Sequence, residues 1–274
     1  MRKVRVAING FGRIGRVVTR AMQGNDNVEL VAINDLAPAD QLVHLLKYDS
    51  VHRAFPGEIK LKEGCMEIND KIVYIYSSKD PEDLPWKDLD IDVVIESTGV
   101  FRTRESAGKH ITAGAKKVVV SAPAKGEVDT FVLGINDNTI TGDELVMSNA
   151  SCTTNCAAPL VKIMDDACQI ERAFLTTVHA YTADQNIHDG PHKKDLRRAR
   201  AAAENIVPTS TGAASALVNI FPHLHGKIVG GAVRVPVADG SLTEMTFLVK
   251  NPLPVSEINK LYKQKAEQEF KGIL

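Results

Sequence analysis

The chain has 274 residues, 44% of them hydrophobic and 24% charged, an ordinary globular composition long enough for two compact domains at roughly 150 residues each. Its 33 Lys and Arg against 34 Asp and Glu leave a net charge of -1, so no overall field exists to hold nucleic acid or an anionic membrane. Cys65, Cys152, Cys156 and Cys168 form no C-x-x-C pair and meet no histidine run at zinc spacing, which argues against a metal site.

Residues 1–10 enter a strand-like segment at once, without an apolar signal core, and no apolar run approaches the ~18 residues of a spanning helix. A cytoplasmic protein with reduced thiols is expected. The apolar run 4–8 reads as a strand ended by Asn9-Gly10, and 13–22 as a helix through Ile14, Val17, Val18 and Ala21. A second buried strand over 28–33 and a helix over 40–47 complete a β-α-β unit, which implies a parallel pair with a right-handed crossover. Short alternating runs over 57–76 predict an inserted antiparallel meander. The parallel pattern resumes at 91–95 and 117–120 around a helix capped by Thr103, and further strands are expected at 131–133 and 145–147.

Beyond Asn155 the texture changes. A helix to about residue 166 precedes long alternating strands at 173–178, 228–235 and 242–249 with no helix between each pair, then an amphipathic helix over 255–270. The expected fold is α/β: an N-terminal Rossmann-type doubly wound parallel sheet over 1–151, then an α+β domain with a mostly antiparallel sheet over 152–274.

Gly10, Gly12 and Gly15 form a G-x-G-x-x-G, with Arg13 and Ile14 between the last two, placed directly after a strand and opening a helix. Glycine permits the tight turn and the close approach of a pyrophosphate to backbone N–H groups at the helix N-terminus. Asp35, 20 residues beyond Gly15, can accept from ribose hydroxyls and would repel a 2′-phosphate. A glycine turn serving only helix–sheet packing is the alternative for the bare motif. Thr98-Gly99 and Ser121 follow parallel strands at the ends where such sheets bind ligands; ordinary turns into helices explain them equally well.

The nonapeptide 148–156 joins a strand end to a helix start and carries Cys152. A helix N-terminus favours the thiolate through its dipole and unpaired N–H groups, so Cys152 is the candidate nucleophile. Cys156, one turn on, is expected to be a small core residue. His179, ending a strand in Thr176-Thr177-Val178-His179-Ala180-Tyr181-Thr182, is the best-placed base; taken alone, it could equally be a satisfied interior histidine.

Residues 9–16, 148–156, 179–182 and 234–236, in this order, resemble the signature segments of the phosphorylating glyceraldehyde-3-phosphate dehydrogenases. The nonapeptide around Cys152 is highly specific to that family; the glycine fingerprint alone is not. The resemblance implies an NAD-dependent glycolytic oxidoreductase in which Cys152 attacks an aldehyde, His179 takes the hydroxyl proton as hydride leaves, and phosphate cleaves the resulting thioester. It implies Lys79 near the adenine end of the cofactor, with a solvated surface lysine as the alternative. It also implies Ser151, Thr153, Arg198, Thr211 and Gly212 around the attacking inorganic phosphate, and Thr182 with Arg234 around the phosphate of the substrate. Pro191 resembles the NAD-preferring members. The basic cluster Lys193, Lys194, Arg197, Arg198 and Arg200 lies in a loop that the family packs at a subunit interface, which implies a homotetramer. Nothing interleaves it with the aromatics a nucleic-acid surface would need.

Erythrose-4-phosphate dehydrogenase, which shares the cysteine and histidine, is the alternative activity. Family members continue well past Leu274, through further strands, a nicotinamide-orienting asparagine and a closing helix. On that ground the chain is expected to be C-terminally incomplete, unstable and weakly active. An inactive fragment that only binds a dinucleotide is the remaining alternative.

Overall fold

The computed structural model describes residues 2–274. They form two compact units, one running to Thr130 and including Ile140–Ala150, the other made of Phe131–Thr139 and Ser151–Leu274.

The first unit alternates β1 (Val4–Asn9), α1 (Arg13–Ala21), β2 (Val28–Asn34) and α2 (Ala39–Lys47), then a small hairpin of β3 (Tyr48–Asp49) and β4 (Arg53–Ala54). The meander follows as β5 (Ile59–Lys62), β6 (Cys65–Ile68) and β7 (Lys71–Tyr76). The unit closes with β8 (Val93–Glu96), α3 (Arg104–Thr112), β9 (Lys117–Val120), β10 (Asp129–Thr130) and β11 (Val146–Ser148). Nine strands share one sheet in the order β10-β11-β9-β8-β1-β2-β7-β6-β5. All pairs from β10 to β7 are parallel, and β5-β6-β7 is the antiparallel meander expected. β1 sits in the middle, buried from Val6 to Asn9, because both faces of a parallel sheet are covered by crossover helices. Strand order reverses between β1 and β8, so their carboxyl ends open the crevice at which such sheets take ligands. Thr103 caps α3 in a reciprocal box with Ser106, satisfying two N-terminal donors.

The second unit contains α4 (Cys152–Cys168), β12 (Ile170–Ala180), β13 (Val207–Thr209), α5 (Ala213–Ile220), β14 (Ile228–Val235), β15 (Ser241–Val249) and α6 (Val255–Glu267). Its sheet runs β13-β14-β12-β15. β13–β14 and β12–β15 are antiparallel, whereas β12–β14 is parallel. The fold is thus α/β with a Rossmann-type sheet and a separate, mostly antiparallel one.

Three local expectations change. Phe131–Leu133 is not a strand: the two-residue β10 precedes it. Instead Val132 N–H donates to Asn136 Oδ1 at 2.8 Å and Gly134 N–H to Asp137 Oδ1 at 2.7 Å, so short polar side chains close a turn that competes with strand pairing. A helix, α5, does stand between β12 and β14, as a parallel pair requires. Cys156 is exposed rather than in the core, because four residues after Cys152 it shares that residue's uncovered helix face.

Candidate active site

In the first unit, a cavity of about 400 Å³ opens at the ends of β1, β2 and β8, and Gly10, Gly12, Asp35, Lys79 and Thr98 line it. The three glycines of the motif serve different ends. Gly10 has φ +90°, and a Cβ there would lie 2.6 Å from Thr98 N; a Cβ on Gly15 would lie 2.3 Å from the Gly10 carbonyl oxygen. Those two permit close packing. Gly12 is different: its Cβ position meets nothing within 4 Å, and the first turn of α1 carries no side-chain cap, leaving N–H groups open to an anion. Gly10→Ala is therefore expected to destabilise the fold by about 2–4 kcal/mol through left-handed strain and overpacking, read as a lowered thermal midpoint.

Asp35 Oδ2 accepts from Phe11 N–H at 2.7 Å and Oδ1 from Ala37 N–H at 2.9 Å. Backbone donors thus hold the carboxylate at the cavity wall, presented to a ribose. This combination fits an adenine dinucleotide. Arg13, Ile14, Gly15, Gly99 and Ser121 do not line the cavity. The Arg13 guanidinium is paired with Asp49, Ile14 is exposed, Gly99 takes φ +75° in an open turn, and the Ser121 hydroxyl donates to the Glu96 carbonyl at 3.2 Å. Asn9, Asn34 and Ser78 line the cavity without having been singled out in the sequence. Their signal is a buried asparagine as the last residue of each of two neighbouring strands, where Asn34 Nδ2 donates to Asn9 Oδ1 at 2.7 Å and Asn34 Oδ1 accepts from Ser78 N–H at 2.8 Å.

In the second unit, α4 begins at Cys152 itself, behind Ser151, whose hydroxyl caps the helix by accepting from Thr154 N–H at 3.0 Å. Cys152 Sγ lies 3.3 Å from His179 Nε2. The hydrogen bond with His179 is the chief cause lowering the thiol pKa, supported by the imidazolium charge and the Thr153 N–H; the same bond raises that of His179, against burial and the Arg234 charge. The pair favours thiolate and imidazolium. His179 Nδ1 is 2.7 Å from the Ala180 carbonyl oxygen, an acceptor that orients the ring.

Arg234 stands directly opposite His179 in the parallel β12–β14 register, so both side chains emerge on one face. Its Nη1 lies 2.9 Å from His179 Nδ1 and donates to the Ala180 carbonyl at 2.9 Å. Burial, and then the Arg198 charge, lower the Arg234 pKa. Two guanidiniums near enough to repel are relieved by an anion held beside them. Arg198 donates from Nε to Thr209 Oγ1 at 2.8 Å and is paired with Asp184. Thr153 is buried beside the cysteine and Thr182 is exposed just past β12. Thr211 Oγ1 accepts from Ala213 N–H at 3.2 Å, and Gly212 is the N-cap of α5 without a side-chain cap. Thr209, the last residue of β13, holds Arg198 in place through that bond to its Oγ1. Among the described residues no cluster of three or more His, Cys, Asp or Glu could hold a metal ion, and no helix is long and apolar enough to cross a membrane.

Two family models match: the NAD binding domain of glyceraldehyde 3-phosphate dehydrogenase over residues 4–104 and the C-terminal domain of the same enzyme over residues 151–274. The chain is 52% identical over 267 residues to the glyceraldehyde-3-phosphate dehydrogenase of Clostridium acetobutylicum, covering 97% of this chain and 80% of that one. The same identity and coverage hold for the Clostridium pasteurianum protein. For that of Mycobacterium avium the identity is 51% over 278 residues, covering 99% and 82%. With models spanning both units and identity of this order along nearly the whole chain, the protein belongs to the glyceraldehyde-3-phosphate dehydrogenase family.

Proposed function

We propose that this chain catalyses the NAD-dependent oxidative phosphorylation of glyceraldehyde 3-phosphate, a step of glycolysis, with Cys152 as nucleophile and His179 as acid and base. The observation that carries the reading is the 3.3 Å contact of Cys152 Sγ with His179 Nε2 at the first residue of a helix. The thiolate adds to the aldehyde carbon, and the imidazolium gives its proton to the oxygen, forming a hemithioacetal. His179 then takes that proton back as hydride leaves the carbon and the carbonyl re-forms as a thioester. Phosphate oxygen attacks the thioester, the C–S bond breaks, and the thiolate leaves as the acyl phosphate departs. NAD is the cofactor, and it supplies the hydride acceptor.

Gly10, Gly12, Asp35, Lys79 and Thr98, which line the cavity, would hold that cofactor, with the Asp35 carboxylate disfavouring a 2′-phosphate. Arg234 and Thr182 would bind the phosphate of the substrate, and Arg198 with Ser151, Thr153, Thr211 and Gly212 the inorganic phosphate. The like charges of Arg198 and Arg234, close enough to repel, support an anion in this place. Residues 1–151 would act as the cofactor domain and 152–274 as the catalytic one. The net charge of -1 supports small molecules as partners, without membrane or nucleic acid, in a cytoplasmic protein that we place as a homotetramer. The test is NADH formation by the purified chain from glyceraldehyde 3-phosphate. The reading expects it to require phosphate and to fall at least about tenfold with NADP; turnover independent of phosphate would contradict it.

A further inference from the structure

Behind the cavity of the first unit lies a polar cluster that the chemistry above does not use. Glu96 ends β8 and His110 lies in α3, and neither side chain has any exposed surface. Trp86 Nε1 donates to His110 Nδ1 at 2.9 Å. An indole N–H can only donate, so Nδ1 bears the lone pair and the ring proton sits on Nε2, 3.1 Å from Glu96 Oε2. Asn9 Nδ2 donates to the same oxygen at 2.6 Å. On the other oxygen, Thr98 donates its backbone N–H at 2.8 Å and also places its hydroxyl. Four groups converge on two oxygens, an arrangement suited to a carboxylate that accepts from all of them. The ring is neutral in this tautomer, and among the described residues no lysine or arginine pairs with Glu96. The anion is satisfied by hydrogen bonds and uncompensated by any cation.

Burying a charge without a partner is costly, and two consequences follow at the cavity. Thr98 and Asn9 are both cavity walls, and Asn9 is bonded on to Asn34 and thence to Ser78. Glu96 therefore anchors a chain of hydrogen bonds that sets the ends of β8, β1 and β2 in register. A fixed negative charge behind the cavity wall also acts on the charge of whatever the cavity binds, and because it is buried salt screens it less than a surface charge. The oxidised nicotinamide dinucleotide carries one negative charge fewer than the reduced form. We propose that Glu96 is a positioning residue for the cofactor, whose buried carboxylate both sets the cavity walls and biases the site toward the oxidised over the reduced dinucleotide. Asp35 and Lys79, the charged residues on the wall, also act on that ratio, but they are the same in wild type and variant and cancel when the two ratios are compared. The proposal rests on NAD as the cofactor.

The experiment is equilibrium titration of the purified chain with NAD and with NADH, for the wild type, Glu96→Gln and Glu96→Asp. Glutamine keeps the shape and removes the charge. Both affinities should weaken, and the ratio of Kd for NAD to Kd for NADH should rise roughly four- to fifteenfold, as expected for a unit charge acting over ~10–20 Å at an effective dielectric of about 20. Aspartate keeps the charge but withdraws from Thr98. Both affinities should weaken alike, with the ratio unchanged within about twofold. An unchanged ratio in Glu96→Gln, or an equal shift in Glu96→Asp, overturns the proposal. Should Glu96→Gln not fold, the aspartate variant carries the test, since a shifted ratio there removes the role of charge. A wild type that binds neither dinucleotide would sink the cofactor reading and this proposal together; one that binds both, with ratios indifferent to the charge, sinks this proposal alone.

Discussion

Cys152→Ala is expected to abolish phosphate-dependent NADH formation, a loss of at least about four orders of magnitude in kcat, because without the sulfur no covalent intermediate can form. The structural cost should be small. Cys152 is exposed at the first residue of α4, and the cap that starts the helix comes from Ser151, so the variant should retain its unfolding free energy within about 0.5 kcal/mol. Cys152→Ser separates nucleophile from shape. A hydroxyl is far less acidic than a thiol, and a single imidazole cannot hold it ionised, so serine should fall nearly as far as alanine. Steady-state assays and rapid-quench detection of an acyl-enzyme check both variants. Appreciable turnover in Cys152→Ala would place the nucleophile elsewhere, and Cys156, exposed one turn further along, would be the first residue to examine.

The parts of this molecule legible in the sequence are those whose physics is local. Gly10, Gly12 and Gly15 announce themselves because strand, turn and helix follow in one short stretch, and the structure separates two packing glycines from one open one for reasons that adjacency already suggests. Thr103 likewise caps α3 as read, and Ser106, three residues on, returns a bond that completes the box. What the sequence conceals is pairing at a distance. Glu96 meets Asn9 and His110 only after β8 has docked beside β1 and α3 has folded across, and no periodicity marks such a contact. The parallel β12–β14 pair is hidden for the same reason, since each strand alternates as an antiparallel one would. Yet that register sets Arg234 opposite His179. Phe131–Leu133 misleads in the other direction: three apolar-rich letters read as a strand, while Asn136 and Asp137 just beyond supply side-chain acceptors that bend the backbone into a turn.

His179→Asn should lower kcat by about two to four orders of magnitude and also move the reactivity of Cys152 to higher pH. Asparagine is short enough to keep a polar atom near the position of Nδ1, facing the Ala180 carbonyl and Arg234, but it cannot reach the sulfur. The wild-type thiol is held below its ordinary value chiefly by the hydrogen bond with His179. A thiolate exists above the thiol pKa and is lost as pH falls through it, so the wild type should alkylate rapidly with iodoacetamide at pH values where a free cysteine is protonated. Without the ring, the residual influences are the Thr153 N–H and the helix terminus, and the thiol should return toward the unperturbed value of about 8.5. The alkylation profile of His179→Asn should therefore shift alkaline, and the two proteins should converge near pH 10, where both sulfurs are ionised. Convergence distinguishes a lost electrostatic partner from a distorted site, which would slow alkylation at every pH. An unshifted profile would mean that the α4 terminus alone ionises Cys152, and it would leave His179 with proton transfer as its sole task.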